Sequence, residues 1–173
     1  MPQRYRTIPY DHRKSSQALF LSEVLYKVLR EEDPNRELFE FLESSLQLLD
    51  VLEDNPSNFH LVFLVQLTKF LGFYPENNYG GERTGFDMRN GQFSNGSGIH
   101  PDFFDRKSSE LLYRLLGGNF NDLSQITVSQ ELRIQFLEDI MNYYRLHMHG
   151  FGQLKSLPVL QELYREKSEN TME

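Results

Sequence analysis

An all-α fold, a bundle of about six helices with one small inserted β-hairpin, is what this sequence predicts, and three observations predict it. Apolar residues recur at helical spacing through most of the 173 residues. Proline, glycine and short polar residues cut the chain into pieces of helix length. Only residues 76–100 turn to glycine, asparagine and charge, with two brief runs, FDMR and QFSN, around Asn90-Gly91 that read as a hairpin.

The first helix is expected from Ser15, where SSQALFLSEVLYKVLRE sets residues 18, 21, 25, 28 and 29 on one broad face. Asp33-Pro34-Asn35 stops it. Asn35 then caps a second helix carrying Leu38, Leu42, Leu46, Leu49 and Leu52, and the two are expected as an antiparallel pair. A third helix opens at Asn55-Pro56, where a missing N–H is harmless. Its FHLVFLVQLTKFL has no wide polar face, so it belongs at the centre of the bundle. Gly72 ends it, with Phe73 folding back and Pro75 forbidding continuation.

The hairpin has Phe86, Met88 and Phe93 as its large apolar anchors and reads as an appendage without a core of its own. A fourth helix is expected from about Asp102 or Ser108 to Leu116, ending at Gly117-Gly118. A fifth starts near Thr127 to Ser129, with Thr127 and Gln130 at capping-box spacing, and turns Leu132, Phe136, Leu137, Ile140, Met141 and Tyr144 inward. Gly150 ends it. Ser156, with Pro158 in the first turn, begins a sixth helix with Leu157, Leu160, Leu163 and Tyr164 on one stripe. The helical domain is expected over residues 15–167, with residues 76–100 as its hairpin and loop insert, and a flexible tail over 168–173.

Composition narrows the function. There is no cysteine, which excludes disulfides, thiolate metal sites and a cysteine nucleophile. Phe59 to Leu71 is too short to span a bilayer, and the N-terminus lacks an apolar signal region, so a cytoplasmic protein is expected. The net charge of -7 is uneven: residues 1–14 hold four basic side chains against Asp11, and residues 31–54 hold nine acids against Arg36. Such an acidic face repels a polyphosphate.

Several motifs suggest chemistry and fail on geometry. His147 and His149 are two apart, so on a helix they point about 200° apart and cannot share a metal ion; histidines near a helix C-terminus suit its carbonyls instead. His100-Pro101-Asp102 has the tripeptide of co-chaperone J-domains, but a hairpin precedes it where those have a basic helix. It reads as a strand end followed by the opening of the fourth helix. Ser97, His100 and Asp102 lie too close in sequence for a hydrolase triad, and no GxSxG elbow is present. GGERTG at 80–85 lacks the lysine of a phosphate loop. Tyr143 falls off the buried stripe of its helix and is the better candidate of the Tyr143-Tyr144 pair for an exposed contact.

One corner keeps its interest. Between Asp139 and Glu162 there is no acid, while Arg145, His147, His149 and Lys155 are all present, Phe151 lies among them, and the sixth helix begins there with free N–H groups. Positive charge beside apolar surface suits an acidic, hydrophobic peptide tail or a nucleic-acid strand. Arg145, His147, His149, Phe151 and Lys155 are therefore the candidate site residues.

The order of ALFLSEVLYKVLREEDPN, LFEFLESSLQLLD, NFHLVFLVQLTKFLGFYP, FDMRNGQF and YYRLHMHGFGQLKSLPVLQEL resembles the C-terminal helical region of the bacterial DNA repair protein RecO, in its Bacteroidetes-like forms. The resemblance implies a recombination mediator that anneals single strands, works with RecR, and contacts the acidic tail of single-stranded-DNA-binding protein to help load RecA. It implies that an N-terminal OB-fold carries much of the DNA contact, that Met1 to Lys14 is the connector from it, and that this chain alone binds DNA weakly or not at all. Some relatives place two cysteine pairs after the segment matching Leu71 to Pro75. This chain has none there, so neither zinc nor any other cofactor is expected. Lys155 and Ser156 match a lysine-serine pair, but Leu157 stands where many relatives have a basic residue. The function implied is a non-catalytic interaction and scaffolding domain; a stand-alone adaptor or co-chaperone-like module is the alternative.

Overall fold

The computed structural model describes residues 5–29, 34–53, 56–81, 84–95 and 100–169, with side chains to 165. Expectations placed on Asp33, on Asn55 as a cap, on Ser97, on Glu82 and Arg83, and on the last residues of the tail lie outside these. The fold is all-α with one small hairpin. Its helices are α1 (His12–Val28), α2 (Arg36–Val51), α3 (Phe59–Leu71), α4 (Arg106–Gly117), α5 (Gln130–His147) and α6 (Ser156–Glu169). The strands β1 (Gly85–Asp87) and β2 (Gln92–Ser94) pair antiparallel, with Phe86 opposite Phe93. The described chain divides into two compact units, residues 1–60 with 152–173, and residues 61–151. The division falls inside α3.

Helix α3 behaves as its composition requires. Every residue from Phe59 to Val65 is buried, as are Leu67 and Thr68, because a helix apolar all round has no face to give to water. A 3-10 turn at Pro56–Asn58 leads into it. At its end Gly72 takes φ 85° and the Phe73 amide returns to the Thr68 carbonyl at 3.1 Å, a Schellman closure.

In the first unit, α1 begins three residues earlier than expected, because Asp11 is its cap and accepts from the Arg13 and Lys14 amides at 2.8 and 3.2 Å. Asp11 lies just outside the apolar period, so the pattern alone starts the helix too late. Helix α2 starts at the expected cap, with Asn35 accepting from Leu38 N at 2.9 Å. Its far end returns to the start of α1, as an antiparallel pair must: the Lys14 ammonium, only 3% exposed, donates to the Asp50 carbonyl at 2.9 Å. The Asp50 carboxylate in turn gathers the amides of Arg6, Thr7 and Ile8 at 2.8–3.0 Å. Buried Gln17 joins α1 to the start of α3. Its amide donates to the Pro56 carbonyl at 2.8 Å, and its oxygen accepts from His60 N at 3.1 Å. Tyr164 of α6 stacks on the His60 ring with centroids 5.5 Å apart.

In the second unit the hairpin is no appendage. Phe86, Met88 and Phe93 are all buried, and Phe86 packs edge-on against Phe93, Phe104 and Tyr143. The segment before α4 runs along the other edge of β1, where Met88 N donates to the Asp102 carbonyl at 3.0 Å and Phe104 N to the Phe86 carbonyl at 2.9 Å. A three-residue strand cannot hold itself, but one flanked on both edges and seated on aromatic rings can. The turn spans Met88 to Gly91. Asp87 accepts from Arg89 N at 2.9 Å and from the Asn90 side chain at 2.7 Å, while Gly91 takes φ 66°.

One helix start also shifts, and another falls inside its expected span. Helix α4 is capped by Asp105, whose carboxylate accepts from Ser108 N at 2.7 Å, rather than opening at Asp102 or Ser108. Helix α5 is capped by Ser129, which accepts from Leu132 N at 3.2 Å, so Thr127 is not the cap. Where several Asp, Ser and Thr precede an apolar run, spacing alone does not select among them.

Candidate interaction site

The five candidate residues fall into both units, and each part is described by itself. Arg145, His147, His149 and Phe151 belong to residues 61–151, and Lys155 to the other unit.

His147, the last residue of α5, is committed internally. Its Nε2 lies 2.7 Å from the Met88 carbonyl oxygen, which requires that this nitrogen carry the proton and donate. The ring stacks on Phe73 at 5.2 Å, nearly parallel, and meets Tyr143 edge-on at 4.6 Å. It therefore satisfies a carbonyl of the hairpin rather than one of its own helix. Arg145 is half-buried and donates to Asn142 Oδ1 at 2.6 Å, one turn back. His149 is exposed, beyond the end of α5.

Phe151 corrects the expectation placed on it. It is 1% exposed and packs against Tyr144 with centroids 5.5 Å apart, so it offers no ring to a partner. The backbone explains why: Gly150 at φ 77° and the bond from Phe151 N to the Met148 carbonyl turn the chain back after α5, carrying Phe151 inward. Tyr143 departs in the same sense. It is also 1% exposed, because the hairpin and Phe73 cover the side of α5 that periodicity leaves open, and its hydroxyl donates to the Phe73 carbonyl at 2.6 Å. Tyr144 is buried as expected and donates to the Leu64 carbonyl at 2.7 Å.

Burial disfavours the phenolate and pushes the pKa of Tyr143 and of Tyr144 above the ordinary tyrosine range, so both stay neutral donors. Neither is a chemical group in waiting.

In the first unit, Lys155 is exposed at the start of α6. The N–H groups there are not free. The Glu23 carboxylate of α1 accepts from Lys155 N and Ser156 N, both at 2.8 Å, and from the Ser156 hydroxyl at 2.5 Å. Burial works against its charge, yet these three donors, with Lys27 nearby, hold its carboxyl below the usual carboxylate range. The corner that has no acid in sequence acquires one in space. Nothing local in the sequence marks Glu23, since its partners lie 132 and 133 residues away.

The remaining motifs are absorbed by the fold. Asp87 meets His100 Nε2 at 3.3 Å, and Asp102 pairs with Arg89 at 2.6 Å, so the ends of His100-Pro101-Asp102 brace the hairpin. Among the described residues no three His, Cys, Asp or Glu are grouped as metal ligands, and no helix is long and apolar enough to cross a membrane. A cleft of about 430 Å³ lies at the N-terminal ends of α4 and α5, lined by Asp105, Lys107, Ser129, Glu131, Leu132 and Gln135, none of them a candidate residue.

Comparison with known proteins matches residues 9–158 to the family described as recombination protein O, C terminal. A DNA repair protein RecO from Phocaeicola vulgatus is 42% identical over 160 residues, covering 92% of this chain and 66% of that protein. One from Bacteroides fragilis is 39% identical, covering 92% and 66%, and one from Porphyromonas gingivalis 33% identical, covering 91% and 65%. The chain thus spans about two thirds of the length of these relatives. No solved structure matches it.

Proposed function

The chain belongs to the RecO C-terminal family, and on that premise we propose that it is a non-catalytic helical domain of a recombination mediator in DNA repair, acting in the cytoplasm through protein contacts. The observation that carries this reading is the match over residues 9–158, which takes in α1 to α5 whole and the first three residues of α6. The partners are RecR and the acidic tail of single-stranded-DNA-binding protein, the latter met by exposed Lys155 in one unit and, separately, by Arg145 and exposed His149 in the other. DNA contact by this chain alone is weak, in keeping with its net charge of -7.

The internal commitments support a scaffold. Glu23 holds Ser156, and His147 holds the hairpin, which fixes the ends of α5 and α6 without using the Lys155 or His149 side chains. Basic groups on fixed backbone bind carboxylates with less ordering entropy to lose.

Fluorescence anisotropy with a labelled acidic peptide ending in phenylalanine tests the reading. Lys155→Glu and Arg145→Glu are expected each to weaken binding about tenfold, the size of one charge-assisted contact. Affinities equal to the parent's for both variants refute the assignment.

A further inference from the structure

Two Asn-Gly pairs occur in the chain, Asn90-Gly91 and Asn95-Gly96, and the first lies in the hairpin turn. Asparagine before glycine is among the least durable peptide sequences in water, because glycine has no side chain to keep its amide nitrogen away from the asparagine carboxamide. In the reaction the Gly91 nitrogen gives up its proton and attacks the Asn90 side-chain carbon. The new C–N bond closes a succinimide, the old one breaks, and the carboxamide nitrogen leaves with the proton as ammonia. Water then opens the ring at either carbonyl, to aspartate or to isoaspartate, with nothing oxidised or reduced. Asn90 is exposed, so water reaches it, yet one residue holds both reacting groups. The Gly91 N–H donates to the Asp87 carbonyl at 2.8 Å, and the Asn90 carboxamide nitrogen donates to Asp87 Oδ2 at 2.7 Å. The amides of Arg89 and Asn90 donate to Oδ1 of the same carboxylate at 2.9 and 3.3 Å. A hydrogen-bonded N–H is harder to deprotonate, a tethered carboxamide does not turn its carbon toward the nitrogen, and the Asp87 charge disfavours the anion that must form.

We propose that Asn90 is a gated deamidation site: the closed hairpin prevents the reaction, opening of the hairpin admits it, and the product bars the hairpin from closing again. The bar is electrostatic. Aspartate at this position puts a carboxylate where a neutral donor lies 2.7 Å from Asp87 Oδ2, so a hydrogen bond becomes two like charges. Isoaspartate also routes the backbone through the side-chain carbon, one atom longer, in a turn that spans only Met88 to Gly91. More than the turn is lost with it. The Met88 carbonyl accepts from His147 Nε2 at 2.7 Å, so an open hairpin also releases the last residue of α5. Each opening thus carries a chance of a one-way step, and the charge state of residue 90 records how often the hairpin has opened.

Tandem mass spectrometry tests this on the full chain, since trypsin releases residues 90–106 after Arg89 and Arg106, and fragment ions separate Asn90 from Asn95. At neutral pH the native chain is expected to deamidate Asn90 at least about tenfold more slowly than the same chain in urea, as holds for a group that reacts only from a minor open state. Asp87→Ala, with its helices confirmed by circular dichroism, should bring the native rate close to the rate in urea. Asp87→Asn keeps an acceptor for the backbone amides and loses the second carboxylate oxygen, so its rate should fall between the parent and Asp87→Ala. Equal rates for the native and urea-unfolded parent, or a native rate left unchanged by both Asp87 variants, overturns the gate. The one-way step is read by hydrogen exchange. Asn90→Asp should lower the protection factor of the Gly91 amide at least about threefold below that of Asn90→Ala, which loses the same bond without gaining a charge. Equal protection in these two variants overturns it.

Discussion

Glu23 of α1 caps the first turn of α6 through Ser156, across 133 residues of sequence, with one carboxylate oxygen on both the amide and the hydroxyl of that serine. An N-cap is ordinarily the residue just before the helix. Here a distant helix supplies it, so a contact between α1 and α6 and the start of α6 are one structural event. Glu23→Ala leaves two amides and a hydroxyl without their acceptor and is expected to destabilise the fold by about 1 kcal/mol, the size of a helix cap. The fall in Tm on a circular dichroism melt should be about 2–4 °C. Because the Glu23 carboxyl lies below its ordinary value when folded, the contribution is complete above the carboxylate range and fades as pH falls through the folded value. Parent and variant melts should converge in acid.

Asp50 sets a second acid-sensitive point. Burial opposes its charge, but the amides of Arg6, Ile8 and Thr7, with Lys14, outweigh it and hold the carboxyl at about 2 against an ordinary 3.8. A lowered folded value stabilises above the unfolded one, so the stabilisation is full above about 3.8 and is lost as pH falls toward about 2. Hydrogen exchange at Arg6, Thr7 and Ile8 is expected to accelerate across that window in the parent, and to be fast already at neutral pH in Asp50→Ala.

Asp139 carries the opposite sign. It is 7% exposed, and burial, with Asp105 and Glu138 adding to it, raises its carboxyl above the ordinary value while Gln135 opposes at 3.0 Å. The folded value exceeds the unfolded one, so stability falls as pH rises from 3.8 through the folded value. Asp139→Asn keeps an acceptor for Gln135 and removes the buried charge. It should equal or exceed the parent in stability at neutral pH, with the difference vanishing in acid; denaturant midpoints at the two pH values measure it.

Gly91 allows the hairpin to approach α5. Its φ is 66°, and a methyl group there would sit 3.0 Å from the Tyr143 hydroxyl. Gly91→Ala is expected to destabilise by about 1–3 kcal/mol through backbone strain and overpacking. In a double-mutant cycle, Tyr143→Phe should relieve part of that loss by removing the atom in the way. Additive losses would mean that strain at φ alone is responsible.

What the sequence made legible was local. Pro56, Gly72, Phe73 and Pro75 bracket α3, and its unbroken apolar run dictates burial with no knowledge of the partners. The Asn35 cap and the Asn90-Gly91 turn are equally self-contained. Asp11, Asp105 and Ser129 were harder because each competes with other capping residues a few positions away, and packing decides among them. Tyr143 and Phe151 depart from what periodicity suggests for a different reason. Each is buried by elements remote in sequence or by a turn whose direction periodicity does not encode, and Glu23 meets Ser156 only once both helices are in place. Of the candidate residues, Lys155 and His149 stand exposed where a local reading puts them. The site was not legible as backbone chemistry, because the donors at the start of α6 already had a carboxylate.

Native-state hydrogen exchange along Phe59–Leu71 tests most directly the claim on which the fold rests, that α3 is an enclosed helix. Amides from Phe63 to Thr68 are expected to be among the slowest in the chain and to exchange only on global unfolding, with denaturant dependence equal to that of the whole fold. Exchange there as fast as in the exposed first half of α2 would contradict the account.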